Sequence, residues 1–363
     1  MSSATPTRRA LNTPLTELLD IELPVIQTAM GWVATAELTA ATCNAGAMGF
    51  FATASLVASE VAGELDRIRG LTDRPFGVNV LMDAPGADEI IDALIEREVR
   101  VASYNRAPNA AMIQRLKDAG VLCIPTIGAP KHATKAIDLG ADALVVQGGE
   151  GGGHTGPVPT SLLIPQVVEA VNGQVPVIAA GGFRDGAGLV AALAWGASGV
   201  AMGTRFLMTK ESPVLPATEE RYLAATVNDI DVTREIDGLP QRVIDNELVR
   251  ALSSGGRISK LLHAAESALE YRKSSGASIV EILRSGLAMK ASQELTWSQM
   301  LMAANAPMLA KRAMVDGDPK RGYLPSGQVA GLIDDWPPVA ELVDRIRAEA
   351  VSRLDALAAV RPQ

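Results

Sequence analysis

The chain of 363 residues is short of the residues that staple or metallate a fold: two cysteines, Cys43 and Cys123, and three histidines. Two cysteines without metal-ligand spacing exclude a disulfide scaffold. Neither has an adjacent base or cationic neighbour, so both read as core packing rather than as reactive thiols. His132, His154 and His263 are scattered, which argues against a zinc site. Positive charge is short as well. With 33 Lys and Arg against 41 Asp and Glu, the net charge is −8, and no basic field exists to draw in a nucleic-acid backbone. Met1 to Asn12 carries Arg8 and Arg9 but no apolar stretch of a secretory signal. The longest uncharged run, Gly186 to Thr204, is broken by Gly196 and Gly199 and reads as a buried helix and strand, not a membrane span. These absences lead to the expectation of a soluble, cytoplasmic protein with no metal, no nucleic acid and no membrane partner.

What is present is a core: 48% hydrophobic residues with 20% charged suit a globular chain. The first two-thirds repeats one rhythm, a short apolar run, a turn and a helical stretch. The expected strands are Pro24–Met30, Met48–Ala52, Gly77–Leu81, Val99–Tyr104, Val121–Thr126, Ala143–Gln147, Val175–Ala179 and Gly199–Met202. Helical spacing fills the gaps, as in Ala87–Glu98 and Ala110–Ala119. Asn44-Ala45-Gly46, Ala119-Gly120, Gly140-Ala141 and Gly196-Ala197 announce the next strand with a left-handed helix end. Apolar strands each followed by a helix indicate a parallel sheet, and about eight such units favour a closed (β/α)8 TIM barrel. A Rossmann sheet is the weaker reading. Gly151-x-Gly153-x-x-Gly156 matches its glycine pattern, yet Pro157 and Pro159 stand where its helix should run.

From Leu207 the rhythm stops. The expected division is a barrel over 1–209, a mainly helical insertion or lid over 210–320, and a segment over 321–363 that returns to the barrel. Helices are expected at Glu219–Ala225, Leu261–Lys273, Ser278–Met289 and Val339–Ala359. An extended pair, Asp231–Ile236 and Gln241–Ile244, is joined by the turn Asp237-Gly238-Leu239-Pro240.

In a parallel barrel, ligands sit at the C-terminal ends of the strands. Those ends carry Ala29-Met30-Gly31, Asn79, Ser103, Gly128, Gln147 with the glycine run to Gly156, Ala180-Gly181-Gly182, and Gly203-Thr204-Arg205. Amides and exposed backbone N–H groups dominate, while carboxylate pairs and metal ligands are missing. That inventory suits a cofactor with many neutral hydrogen-bonding edges and one phosphate, as flavin mononucleotide (FMN) has. The phosphate is expected at the last two glycine turns. His154, framed by Gly153 and Gly156, is the candidate proton donor or acceptor. His132 and His263 fall on helical stretches and read as ordinary helix surface.

Gln147-Gly148-Gly149-Glu150-Gly151-Gly152-Gly153-His154, taken with Gly77-Val78-Asn79, Ala179-Ala180-Gly181-Gly182 and Met202-Gly203-Thr204-Arg205-Phe206, resembles the nitronate monooxygenase (2-nitropropane dioxygenase) superfamily. That group also holds flavin-dependent enoyl-acyl-carrier-protein reductases. The likeness covers nearly the whole chain, including Ser326-Gly327-Gln328-Val329-Ala330-Gly331. It implies an FMN-binding barrel in which Asn79, Gln147 and Gly152 touch the cofactor. It places Gly181, Gly182, Ala201, Met202, Gly203 and Thr204 near its phosphate, and His154 at the family's catalytic position. Ala29, Met30, Gly31, Gly153 and Gln328 complete the expected cofactor set. Two positions depart from the family's pattern: Trp32 follows the first turn, and Ala201 replaces a glutamine.

Gln27-Thr28-Ala29-Met30-Gly31-Trp32-Val33-Ala34, Leu295-Thr296-Trp297-Ser298-Gln299 and Met302-Ala303-Ala304-Asn305 are similar to an actinobacterial branch linked to breakdown of steroid rings C and D. That resemblance implies reduction of the double bond of an α,β-unsaturated CoA thioester, with NADH or NADPH as electron donor. Lys131, Lys135, Arg184 and Arg205 are candidate contacts for CoA phosphates. The alternatives are oxidation of alkyl nitronates with O2, and a non-catalytic flavoprotein that binds CoA esters. A homo-oligomer is compatible with each.

Overall fold

The computed structural model describes residues 11–105, 107–254 and 297–360. Eight parallel strands close into a barrel: β1 (Val25–Gln27), β2 (Met48–Ala52), β3 (Gly77–Asn79), β4 (Val101–Tyr104), β5 (Leu122–Ile127), β6 (Leu144–Gln147), β8 (Val177–Ala180) and β9 (Gly199–Met202). The ring is sealed where Val25 of β1 pairs with Val200 of β9. β7 (Gly153–His154) lies outside this ring, in the loop after β6.

Side chains alternate across the barrel wall, as a period of two residues demands. Ile26, Met48, Phe50, Val101, Ile124, Val145 and Ile178 fill the interior. Their neighbours Val25, Leu144, Val146, Val177, Ala179 and Val200 face outward onto the helices. Both faces are therefore dry, which is why these strands read as unbroken apolar runs. Each fully buried Leu, Ile or Phe contributes roughly 1.5–3 kcal/mol over its exposed state.

The helical expectations hold to within two residues at Ala87–Glu96, Ala110–Asp118 and Val339–Ala358, and the helix expected from Glu219 begins three residues earlier, at Pro216–Ala224. Gly46, Gly120, Gly140 and Gly196 all take positive φ at the helix ends, as the repeated motif requires. The first strand is shorter than Pro24–Met30. After Gln27 the chain bends, and the N–H groups of Val33 and Ala34 both donate to Met30 O (3.0 and 2.8 Å), which curls the segment off the sheet.

The segment after the barrel contains more sheet than expected. β10 (Ile230–Thr233) and β11 (Gln241–Ile244) form the anticipated antiparallel pair, with Thr233 opposite Gln241. β10 ends before Ile236 because the chain coils there, Gly238 N donating to Arg234 O at 3.0 Å. β11 also pairs with β12 (Leu324–Pro325) and with β7, where Gln241 lies opposite His154. The loop after β6 and the late Ser326 segment are thus laced into one small sheet above the barrel mouth. The expected helices Leu261–Lys273 and Ser278–Met289, with His263, Leu295 and Thr296, lie outside the described residues. Among the described residues no helix is long and apolar enough to cross a membrane.

Candidate active site

The strand ends that close the barrel mouth surround a chamber of about 340 Å³. Asn79 is fixed on its rim: its Nδ2 donates to Ser103 Oγ at 3.0 Å, and its own carbonyl accepts from Thr53 Oγ1 at 2.7 Å. At the far side, Gly181 and Gly182 have φ of 101° and 82°, conformations that L side chains rarely adopt. Among the described residues, the N–H groups of Gly181, Gly182, Gly203 and Thr204 donate to no acceptor. Consecutive unpaired amides on a concave turn form an anion cradle. The chamber volume lies within the range of small-molecule sites. The donor set is neutral amides and backbone N–H groups, which fits a phosphorylated flat cofactor.

The glycine run after β6 is held from several directions. Gln147 Nε2 donates to His154 O at 2.8 Å, and Glu150 Oε2 accepts from Thr160 N and Oγ1 at 2.8 and 2.6 Å. Arg242 donates to Gly149 O through Nε and Nη2 at 3.0 and 2.8 Å. Gln328 N donates to Glu150 O at 3.0 Å, and Gly327 N to Thr204 Oγ1 at 2.9 Å, so the late segment is tied to both the loop and β9. Gly152 has no room for a side chain, because a Cβ there would sit 2.5 Å from Gly327 N.

β7 sets His154 opposite β11, which brings its ring to the turn that follows β10. His154 Nε2 lies 2.7 Å from Asp237 Oδ2. The same carboxylate accepts from Gln241 Nε2 at 2.7 Å, and its Oδ1 from Leu239 N at 3.0 Å. Burial pushes the Asp237 carboxyl up, but His154, the Leu239 amide and Gln241 outweigh it and hold it below the usual carboxylate range. It is therefore an anion at neutral pH, and it fixes the imidazole with its Nε2–H donating. Nδ1 is left for a ligand. The His154 side chain is 48% exposed against 11% for Asp237, so the pair has a wet end and a dry anchor.

A second chamber of about 840 Å³ continues outward from the first. Ala29, Gly31, Asn79, Gln147 and His154 border both. Its walls are largely apolar, with Trp32, Leu81, Pro125, Ile127, Leu239 and Tyr323 among them. Trp32 stands at φ 67°, a strained value for a bulky residue. Its Nε1 donates to Pro307 O at 2.8 Å and Lys311 lies 5.8 Å over its ring, so it clasps the helix Trp297–Met314 to the barrel mouth.

The expected cofactor residues Ala29, Met30, Gly31, Asn79, Gln147, Gly152, Gly153, Gly181, Gly182, Ala201, Met202, Gly203 and Thr204 all line the inner chamber, with His154. Gln328 does not. Its neighbours Gly327 and Val329 do, and its backbone N–H donates to Glu150 O. Arg205 is also withdrawn. It is buried, donates to Asp335 Oδ1 at 2.7 Å and to Met208 O at 2.8 Å, and its Nε is buried without a partner. Arg184 is paired with Asp185 at 3.2 Å and donates to Leu332 O. Burial pushes the thiols of Cys43 and Cys123 up to about 12, as inert core residues require. Asp237 is the functional residue that sequence reasoning missed. It read as a turn former, and 83 positions separate it from His154.

The sequence matches the nitronate monooxygenase family over residues 12–97 and 87–349. A Rhodococcus jostii protein named (3aS,4S,5R,7aS)-5-hydroxy-7a-methyl-1-oxo-octahydro-1H-indene-4-carboxyl-CoA dehydrogenase is 50% identical over 97% of this chain and 99% of its own. A Mycobacterium tuberculosis protein of the same name is 51% identical over 96% of this chain and 99% of its own. Among solved structures, FabK from Thermotoga maritima superposes with a TM-score of 0.79 at 32% identity, covering 96% of this chain and 99% of that one. A sealed parallel barrel, an amide-lined chamber at its mouth and a match spanning nearly all of the sequence agree: the chain belongs to the nitronate monooxygenase family of flavin-dependent oxidoreductases.

Proposed function

We propose that the protein is an FMN-dependent oxidoreductase of the cytoplasm that acts on the C=C bond of an α,β-unsaturated alicyclic CoA thioester in steroid ring C/D catabolism. The observation that carries this reading is the end-to-end likeness to the indene-carboxyl-CoA dehydrogenases, at 50% identity over 97% of the chain. The outer chamber supports it. About 840 Å³ of mostly apolar space beside His154 suits a fused-ring acyl group and far exceeds what a small alkyl nitronate fills.

In this reading, FMN is held by Asn79 and Gln147 on its ring edges, with its phosphate on the free amides of Gly181, Gly182, Gly203 and Thr204. Bound there, FMN would supply hydride chemistry at the carbon β to the thioester, with NADH or NADPH as the proposed electron source. His154 has the proton half of the reaction. Its Nδ1 gives a proton to the α-carbon, or donates to the thioester oxygen while enolate charge develops. Asp237 keeps the imidazole in that orientation and stabilises its charged form, and the Gln147 bond to His154 O holds the loop in place. In the dehydrogenase direction that the relatives' name describes, the same nitrogen collects the proton.

The test is the visible spectrum of the purified protein, followed by NAD(P)H oxidation without oxygen. A yellow protein that bleaches with NADH or NADPH and recolours on adding an unsaturated indane-carboxyl-CoA ester supports the proposal. Oxygen uptake with 2-nitropropane or propionate 3-nitronate, and indifference to NAD(P)H, overturns it in favour of nitronate oxidation.

A further inference from the structure

The outer chamber has its neutral amides and the His154–Asp237 pair on the side of the inner chamber, and basic side chains on the helix that follows Ile127. There the helix Pro130–Asp138 presents His132 and Lys135, one turn apart on the same face, and both side chains are exposed at the cavity rim. Among the described residues, neither side chain enters an ion pair or a hydrogen bond. Three arginines around the barrel mouth are engaged elsewhere: Arg205 with Asp335, Arg184 with Asp185 and Leu332 O, and Arg242 with Gly149 O.

We propose that His132 and Lys135 form the docking point for the phosphates of the CoA group, at the solvent end of the substrate cavity. This rests on the thioester reading above. The geometry gives the order of the ligand's parts. The reacting carbons must lie by His154, where the two chambers meet, and the ring system takes the apolar walls. The pantetheine arm then has to leave past a rim where the CoA phosphates beyond it stay hydrated, and His132 and Lys135 stand there. The chain's net charge of −8 opposes a polyanionic ligand, and screening limits that repulsion to about 10 Å. The uncommitted nitrogen bases at the rim counter that repulsion locally. Lys135 supplies a permanent charge, and His132 adds a second donor one turn before it.

The experiment compares the CoA ester of an unsaturated indane-carboxylate with its N-acetylcysteamine ester, which has the same acyl group and no phosphates. In Lys135→Glu the ratio of kcat/KM values, CoA ester over truncated ester, falls about tenfold, and in Lys135→Ala and His132→Gln roughly threefold, carried by KM. An unchanged ratio, or an equal loss for both esters, overturns the proposal. A rise in KM for NADH or NADPH with the ester ratio unmoved also overturns it, because the rim then holds the diphosphate of the nicotinamide donor. If the wild type turns over neither ester, the proposed function fails on its own. The rim is then read by calorimetry with free CoA and with pantetheine. Tighter binding of CoA to the wild type than to Lys135→Glu, with no such difference for pantetheine, supports it, and equal binding of CoA sinks it.

Discussion

The two chambers that meet at His154 are built from different materials. The inner one is lined by glycine turns, free amides and strand ends of the closed barrel, with Pro325, Gly327 and Val329 of the late segment beside them. The outer one is made of side chains drawn from separate stretches of the chain, from Trp32 near the start to Tyr323 near the end. A backbone cradle recognises groups common to every cofactor molecule and tolerates no added atoms. A side-chain chamber is reshaped by substitution without disturbing the barrel beneath it. In the proposed reading, the family's shared chemistry belongs to the first chamber, and the choice of substrate to the second. His154 and Asp237 span the seam, one on the loop of the barrel and the other on the added sheet.

That contrast is open to attack at the seam first. His154→Ala should lower kcat by roughly 10²–10⁴-fold while the protein keeps its flavin, since the general acid is lost and the amide cradle is untouched. Rapid-reaction measurement of flavin reoxidation by the thioester checks this, and loss of flavin in the variant would merge the two chambers into one. Asp237→Asn should cost about 10- to 100-fold in kcat with little change in KM, because the imidazole loses its anchor and not its place in the cavity.

Asp237 also gives the seam a pH signature. Its folded-state pKa is depressed, so its contribution to stability is present above the unfolded value near ~3.9 and is lost as pH falls through the folded value. Thermal melts of wild type and Asp237→Asn should therefore differ by a constant amount at neutral pH and converge only below about pH 4. The smallest expected effect is on the cradle. In Gly152→Ala the new methyl meets Gly327 N at 2.5 Å, and the shift it forces should cost about 1–3 kcal/mol. Weakened flavin retention during dialysis, read at the visible absorbance, measures it.

Much of the barrel was legible in the sequence because both faces of its strands are buried. Met48–Ala52 and Gly199–Met202 were read to the residue for that reason. The cradle was legible because glycine is the one residue whose presence reports backbone geometry directly. The sheet above the mouth was not. β7 is two residues long and β12 another two, far below the length at which alternation gives a signal. The place of Gln328, off the inner chamber, was hidden for a related reason. A loop's sequence shows that it is tight but not which of its residues turns inward, and here Gly327 and Val329 do.

By itself, then, the sequence determined the repeating strand–helix architecture, the amides and glycines at the strand ends and the place of His154 beside them. These follow from local rules: hydrophobic period, helix-end glycines and the chemistry of residues at strand ends. Only the tertiary structure decided that Asp237 orients the histidine, that Arg205 is locked away, and that Lys135 faces the cavity. Each of those depends on contacts between segments far apart in the chain, and their distances are set by packing, on which one-dimensional spacing carries no information.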